Sequence, residues 1–162
     1  SGLNRLGWSN DVVTEYLEPE ICLPAVAQGS LGIECRGDDT ELLQELAKLT
    51  DKATWETAHA ERAFLAAMDG GCQVPIAGYA TYENEEIHFT GLVAAPDASE
   101  FYEDSATSKN AEEAGKAVAK ILTEQGAYEL IERVKAEQNE QHYSSCWRHA
   151  CTHGDKCDKS DC

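Results

Sequence analysis

Several things are scarce in this 162-residue chain, and each scarcity excludes something. No apolar run approaches the roughly 20 residues that a membrane-spanning helix needs. Neither an initiating Met nor a basic-then-apolar start is present, so no signal peptide is expected. The first residue falls inside what reads as ordinary domain sequence, as in a piece of something longer. Basic residues are few: 13 Lys and Arg stand against 30 Asp and Glu, a net charge of −17. Such a field repels polyanions, which disfavours general nucleic-acid binding and anionic membrane surfaces alike. Only five of the basic residues are Arg, and one of these, Arg148, lies near the C-terminus. No internal repeat is visible.

What is present suffices for a folded domain. Hydrophobic residues make up 42% of the chain, enough for a core. The seven Cys are unevenly placed. Cys22, Cys35 and Cys72 are widely spaced, which argues against a secreted disulfide scaffold and for a reduced, cytoplasmic body. Cys146, Cys151, Cys157 and Cys162 crowd the last residues beside His142, His149 and His153. These are enough ligands for a zinc site, but no tight C-x2-C knuckle is among the spacings. The metal reading is therefore weak beside that of an unrelated extension, such as a read-through or frameshifted end.

Periodicity predicts a short helix over Asp11–Leu17, stopped before Pro19. The stretch Leu23–Ser30, broken by Pro24 and Gly29, reads as a hinge or linker, and Leu31–Arg36 as a short strand. Asp38 or Asp39 caps a helix carrying Leu42, Leu43, Leu46 and Leu49. Asp51 caps a second helix, about 52–68, with Trp55, Ala58, Arg62, Leu65 and Ala66 on its recurring face. Gly70-Gly71 stops it. Two strands, 73–82 and 86–95, form a hairpin through Glu83-Asn84-Glu85, and a third covers 101–106. A helix from Asn110 buries Ala114, Val118, Ile121 and Leu122. Gly126 breaks it, and a last helix covers about 127–135. Residues 52–137 thus predict an α+β unit in which helices pack a small antiparallel sheet. Residues 1–50 have no evident core of their own.

Cys72 stands out by context. It follows two glycines, which permit a tight turn and close approach to a ligand, and it lies on a loop. A small buried hydrophobe is the competing reading. The position just beyond a helix C-terminus places it at the negative end of the macrodipole, which disfavours a thiolate. That suits a thiol that reacts once with a strong electrophile and remains a thioether, rather than a turnover nucleophile. His59 and His88, single histidines in a helix and a strand, read as structural. Glu83, Glu85 and Glu86 read as a solvated hairpin end, and Glu112-Glu113 as a helix surface near its favourable N-terminus.

The segment Glu61-Arg62-Ala63-Phe64, followed by Asp69-Gly-Gly-Cys-Gln-Val-Pro-Ile76, resembles the cofactor-attachment segment of the porphobilinogen deaminase (hydroxymethylbilane synthase) family. Leu23-Pro-Ala-Val-Ala-Gln-Gly-Ser-Leu-Gly-Ile-Glu-Cys-Arg36 is similar to that family's interdomain crossing. Ser1-Gly-Leu-Asn-Arg-Leu-Gly7 is similar to the end of its second domain, and Gly91-Leu-Val-Ala-Ala-Pro-Asp97 to a strand and turn of its third. Several long motifs in the correct order, over residues 1 to about 137, make the resemblance specific.

The resemblance implies a fold, a reaction and a set of residues. Residues 1–22 would end the second of two periplasmic-binding-protein-like α/β domains, and 23–50 would be the hinge and the returning segment of the first. Residues 51–141 would be the C-terminal cofactor-attachment domain, and 142–162 a tail foreign to the family. The family joins porphobilinogen head to tail into hydroxymethylbilane, releasing ammonia, on a dipyrromethane cofactor held as a thioether by a loop Cys that matches Cys72. Arg5 matches an arginine that binds acetate and propionate side chains, as a guanidinium fork suits. Gln28 and Gly29 match hinge residues beside the cofactor. No residue matches the catalytic aspartate, which belongs with most cleft arginines to domains preceding this sequence. The chain alone would therefore be inactive, a binding module or fragment whose partners are those missing domains, in a full enzyme that is a monomer. Ala27 stands where the family usually has glycine, a change that would stiffen the hinge.

Overall fold

A computed structural model describes residues 2–8, 12–68 and 74–150 of the chain, with side chains as far as Gln138. Its elements run in the order α1 (Gly2–Arg5), α2 (Thr40–Ala47), α3 (Lys52–Ala67), β1 (Ile76–Glu83), β2 (Glu86–Ala94), β3 (Phe101–Ser108), α4 (Ala111–Gln125) and α5 (Ala127–Ala150).

Local chemistry explains most of these boundaries. The carboxylates of Asp39 and Asp51 accept the N–H of Leu42 and Thr54, and the Asn110 side chain that of Glu113. Each satisfies a donor that the first turn of a helix leaves orphaned. Gly126 closes α4 in the left-handed region, at φ 113°, a conformation glycine adopts without steric penalty. Asn84 (φ 52°) and Glu85 (φ 63°) form the two-residue β1–β2 turn between paired Glu83 and Glu86. Two successive left-handed residues match the natural twist of a hairpin.

The three strands form one antiparallel sheet in the order β1-β2-β3. Alternation along β2 sends Ile87, Phe89, Gly91 and Val93 to a buried face. There they meet Ala60, Phe64 and Met68 of α3, Val118 and Leu122 of α4, and Leu130, Ile131 and Val134 of α5. Burying one such large apolar side chain stabilises the fold by about 2 kcal/mol. Close approach depends on small residues. The Phe64 ring lies over Gly91, and Gly115 of α4 presses on the Ala60 carbonyl of α3. The chain thus forms a small three-stranded antiparallel sheet packed on one face by helices.

Four details differ from the sequence expectations. Residues 13–17 are not helical, and Tyr16 and Leu17 are exposed; an isolated turn with no apolar partner is marginal in water. Residues 31–36 form no strand. No ladder satisfies their backbone among the described residues, and Leu31 is 90% exposed, so the extended run has nothing to pair with. On α3 the buried stripe is Ala60, Glu61 and Phe64, followed by Met68, while Trp55, Arg62 and Ala66 face solvent. Alanines at 53, 58, 60, 63, 66 and 67 make this helix small-sided all round, so its apolar pattern selects no face. Finally, α5 continues past Lys135 to Ala150. The expected lack of a core in residues 1–50 is matched by the described residues of that stretch, none of which is buried.

Candidate cofactor-attachment site

The site is framed by the end of α3, the start of β1 and the stretch 24–30. Helix α3 ends at Ala67, and the following Met68 is fully buried. Val74, also buried, leads through Pro75 into β1. The connection between them carries Gly70, Gly71 and Cys72. These three lie outside the described residues, as do the stop predicted there and the first residue of the predicted 73–82 strand.

An outer edge strand offers main-chain groups at alternate residues. On β1 that edge is already taken. The Gly78 N–H donates to the Pro24 carbonyl at 3.1 Å, and Ala25 bridges antiparallel to Ala77. Val26 packs against the core beside Gly78. The expected linker is therefore docked on the sheet. It then turns sharply. The Gln28 N–H donates to the Ala25 carbonyl at 3.1 Å, and the Ser30 N–H to the Ala27 carbonyl at 3.3 Å. Ala27 (φ 55°) and Gly29 (φ 85°) both occupy the left-handed region, which suits Gly29 and strains Ala27.

Glu61 reaches this turn from α3. One carboxylate oxygen accepts the Ala27 N–H at 2.6 Å and the other accepts the Ala80 N–H of β1 at 3.0 Å. Both oxygens accept, as in an ionised carboxylate. Burial pushes its pKa up, while the two N–H bonds pull it down against that trend. Sequence reasoning used Glu61 only as part of a motif and missed this role. Because the apolar pattern of α3 selects no face, the sequence held no signal that this carboxylate is buried and so requires partners.

The structure brings together two of the four sequence-nominated residues. Gln28 and Gly29 sit side by side in the turn, both exposed. The Gln28 side-chain oxygen accepts the Ala25 N–H at 3.2 Å, which leaves its NH2 group as the donor. A Cβ at Gly29 would meet nothing within 4 Å, so the backbone there is open to approach. Arg5 ends α1 with its side chain exposed and without an ion pair among the described residues. No hydrogen bond connects it to the turn. Exposed N–H donors and a free guanidinium are the chemistry that carboxylate groups require.

The other nominated side chains are occupied locally. The His59 Nδ1 lies 2.8 Å from the Trp55 carbonyl and its ring stacks on Trp55 at 4.1 Å. The His88 Nδ1 lies 2.9 Å from Thr107 Oγ1 across the exposed sheet face. Cys22 is exposed and Cys35 half-buried, both unbridged. Among the described residues no cluster of His, Cys, Asp and Glu could hold a metal ion, and no helix is long and apolar enough to cross a membrane. The Cys and His side chains of the 142–162 tail lie outside the described residues.

Comparison with known proteins converges on one family. Residues 1–44 match the family model described as "Porphobilinogen deaminase, dipyromethane cofactor binding domain". Residues 55–124 match "Porphobilinogen deaminase, C-terminal domain". The porphobilinogen deaminase of Lysinibacillus sphaericus is 71% identical over 139 residues, 86% of this chain and 45% of that protein. That of Bacillus subtilis is 54% identical over 141 residues, again 86% and 45%. That of Staphylococcus carnosus is 52% identical over 138 residues, 85% and 45%. The chain thus spans less than half the length of these relatives. With two models of one family matched in order along most of its length, the chain belongs to the porphobilinogen deaminase family, of which it carries the C-terminal part.

Proposed function

We propose that this chain is the cofactor-bearing C-terminal part of a cytoplasmic enzyme of tetrapyrrole (haem) biosynthesis. The complete enzyme is a transferase that condenses porphobilinogen head to tail into hydroxymethylbilane with release of ammonia. One observation carries the reading. The turn holding Gln28 and Gly29 is hydrogen-bonded to β1, the strand that directly follows the Cys72 connection. The stretch leading into that turn is therefore docked on the strand that follows Cys72 in sequence.

The residues present suit a dipyrromethane with acidic side chains. The Cys72 sulfur is the attachment point, as a thioether. The Gln28 NH2 group and the Gly29 N–H donate to carboxylates of the cofactor, and the Arg5 guanidinium pairs with another. When bound, the cofactor supplies the primer on which porphobilinogen units are joined. Residues 1–22 and 23–50 are the closing pieces of two periplasmic-binding-protein-like α/β domains, residues 51–141 are the attachment domain, and 142–162 is a tail foreign to the family. The exposed Tyr16, Leu17, Leu31 and Ile33 are the sides that those domains would cover.

A second reading concerns this chain by itself, and the absence of any buried residue in the described part of 1–50 favours it. Alone, the chain is a non-catalytic fragment, because an anchor without its acid–base group cannot drive condensation. One experiment tests both readings. The chain is incubated with porphobilinogen, alone and together with the N-terminal half of a relative, and intact mass and ammonia are measured. The expected result is a dipyrromethane adduct on Cys72 and ammonia release only in the complemented sample. No adduct in either sample would remove the functional reading, and ammonia release by the chain alone would remove the fragment reading.

A further inference from the structure

The hinge turn is held from outside its own segment. Two β1 donors on the outer edge, at Gly78 and Ala80, bind the Pro24 carbonyl and the Glu61 carboxylate in turn. Glu61 uses its remaining oxygen on Ala27, immediately before the two exposed hinge residues. Ala27 itself lies at φ 55°, in the left-handed region that a side chain with a Cβ adopts only against steric cost. A left-handed alanine persists only when its surroundings over-determine it, and the bond to Glu61 adds a contact from α3 to the turn's own hydrogen bonds.

We propose that Glu61 is a positioning residue. Its buried carboxylate bridges the Ala27 and Ala80 N–H groups, and so fixes the turn presenting Gln28 and Gly29 against the edge of β1. The functional half of this inference rests on the reading of Gln28 and Gly29 as donors to the cofactor. Glu61 touches neither substrate nor cofactor. It acts through the orientation of the turn, holding the donors in register with the domain that carries Cys72. The geometry also explains the side chain's length. A carboxylate on α3 must span from a strand edge to a turn, and Asp, one methylene shorter, cannot reach both. Gln can accept with one atom only, and its NH2 group would face an N–H donor.

Amide hydrogen exchange on the full chain tests the inference without any cofactor. Glu61→Gln and Glu61→Asp are compared with the unsubstituted chain. The expected result is exchange about tenfold or more faster at residues 25–30 and at Ala80, as for loss of a charge-assisted bond, with α4 amides unchanged. Unchanged exchange at 25–30 in a variant with intact α4 would overturn the inference. So would unfolding of both variants, since Glu61 would then be a general stabiliser. In parallel, cofactor loading is read by intact mass after complementation with the N-terminal half of a relative. Altered exchange together with normal loading in both variants would leave Glu61 fixing the turn and refute its positioning role. No loading even without substitution would count against the functional reading, while the exchange result would still decide the bridge.

Discussion

Replacing Gly115 by Ala sets two effects of opposite sign against each other. At a solvent-exposed helix position, Gly→Ala stabilises by about 1 kcal/mol, because glycine has more backbone freedom to lose. At position 115 the added Cβ would lie 2.2 Å from the Ala60 carbonyl oxygen, 2.8 Å from the Phe64 amide nitrogen and 3.1 Å from the Ala63 Cβ. Ordinary nonbonded contacts lie near 3.5 Å, so α3 and α4 must separate by roughly 1 Å. The nearest obstacle is backbone, which no rotamer change can move. Displacing α3 also lifts the Phe64 ring from Gly91 and from its tilted contact with Phe89, at 5.1 Å between centroids. Strain at the upper end for overpacking, about 3 kcal/mol, exceeds the propensity gain and leaves a net loss of about 2 kcal/mol. For a domain of this size that lowers Tm by roughly 8–16 °C. Thermal unfolding followed by far-UV circular dichroism measures it, with Ala117→Gly on the exposed side of α4 as the propensity control. The control should lose about 1 kcal/mol. A Gly115→Ala variant melting at or above the unsubstituted chain would refute the packing argument.

Other predictions concern the hinge, the β3–α5 junction and the anchor. Ala27→Gly removes the left-handed strain and keeps the N–H that Glu61 accepts; the turn should gain roughly 0.5–1 kcal/mol after the entropy cost of glycine, seen as slower amide exchange at 25–30, and faster exchange there would count against it. Hydrogen bonds from Tyr102 and then Arg133 hold Glu100 below its ordinary pKa, so the stability it contributes is present above that ordinary value and is lost as pH falls through the lowered one. Glu100→Gln should therefore flatten the acid limb of the unfolding midpoint against pH, and an unchanged limb would contradict the assignment. Cys72→Ser should abolish the covalent adduct in the complemented assay and leave the circular dichroism spectrum intact; an adduct of normal mass would exclude Cys72 as the anchor.

The parts that were legible in the sequence are those decided locally. Asp39, Asp51 and Asn110 cap helices through bonds reaching only three residues ahead, and Asn84-Glu85 makes a turn from its own backbone preferences. The packing of Ala114, Val118 and Leu122 followed from simple periodicity. Illegible parts depend on distant partners. Residues 13–17 and 31–36 carry suitable patterns but no partner surface among the described residues, and the alanine-rich α3 could not reveal which side faces the sheet. Glu61 reads as one more surface acid until Ala27 and Ala80 are seen, 34 and 19 residues away, on its two oxygens. Gln28 and Gly29 could be nominated from the resemblance, but their docking on β1 could not.

The two margins of the sheet are protected by different physics, and this bears on self-association. Beside β1, main chain from residues 24–25 and a carboxylate occupy donors that another copy could use to extend the sheet. Among the described residues no fourth strand pairs with β3, which carries Glu103 and Asp104. Acidic side chains on a bare strand repel the same strand of a neighbouring molecule. In a chain of net charge −17, this guard is strongest at low ionic strength. Polymerisation by strand addition is thus blocked sterically on one side, whereas on the other it is held off by charge, which salt erodes.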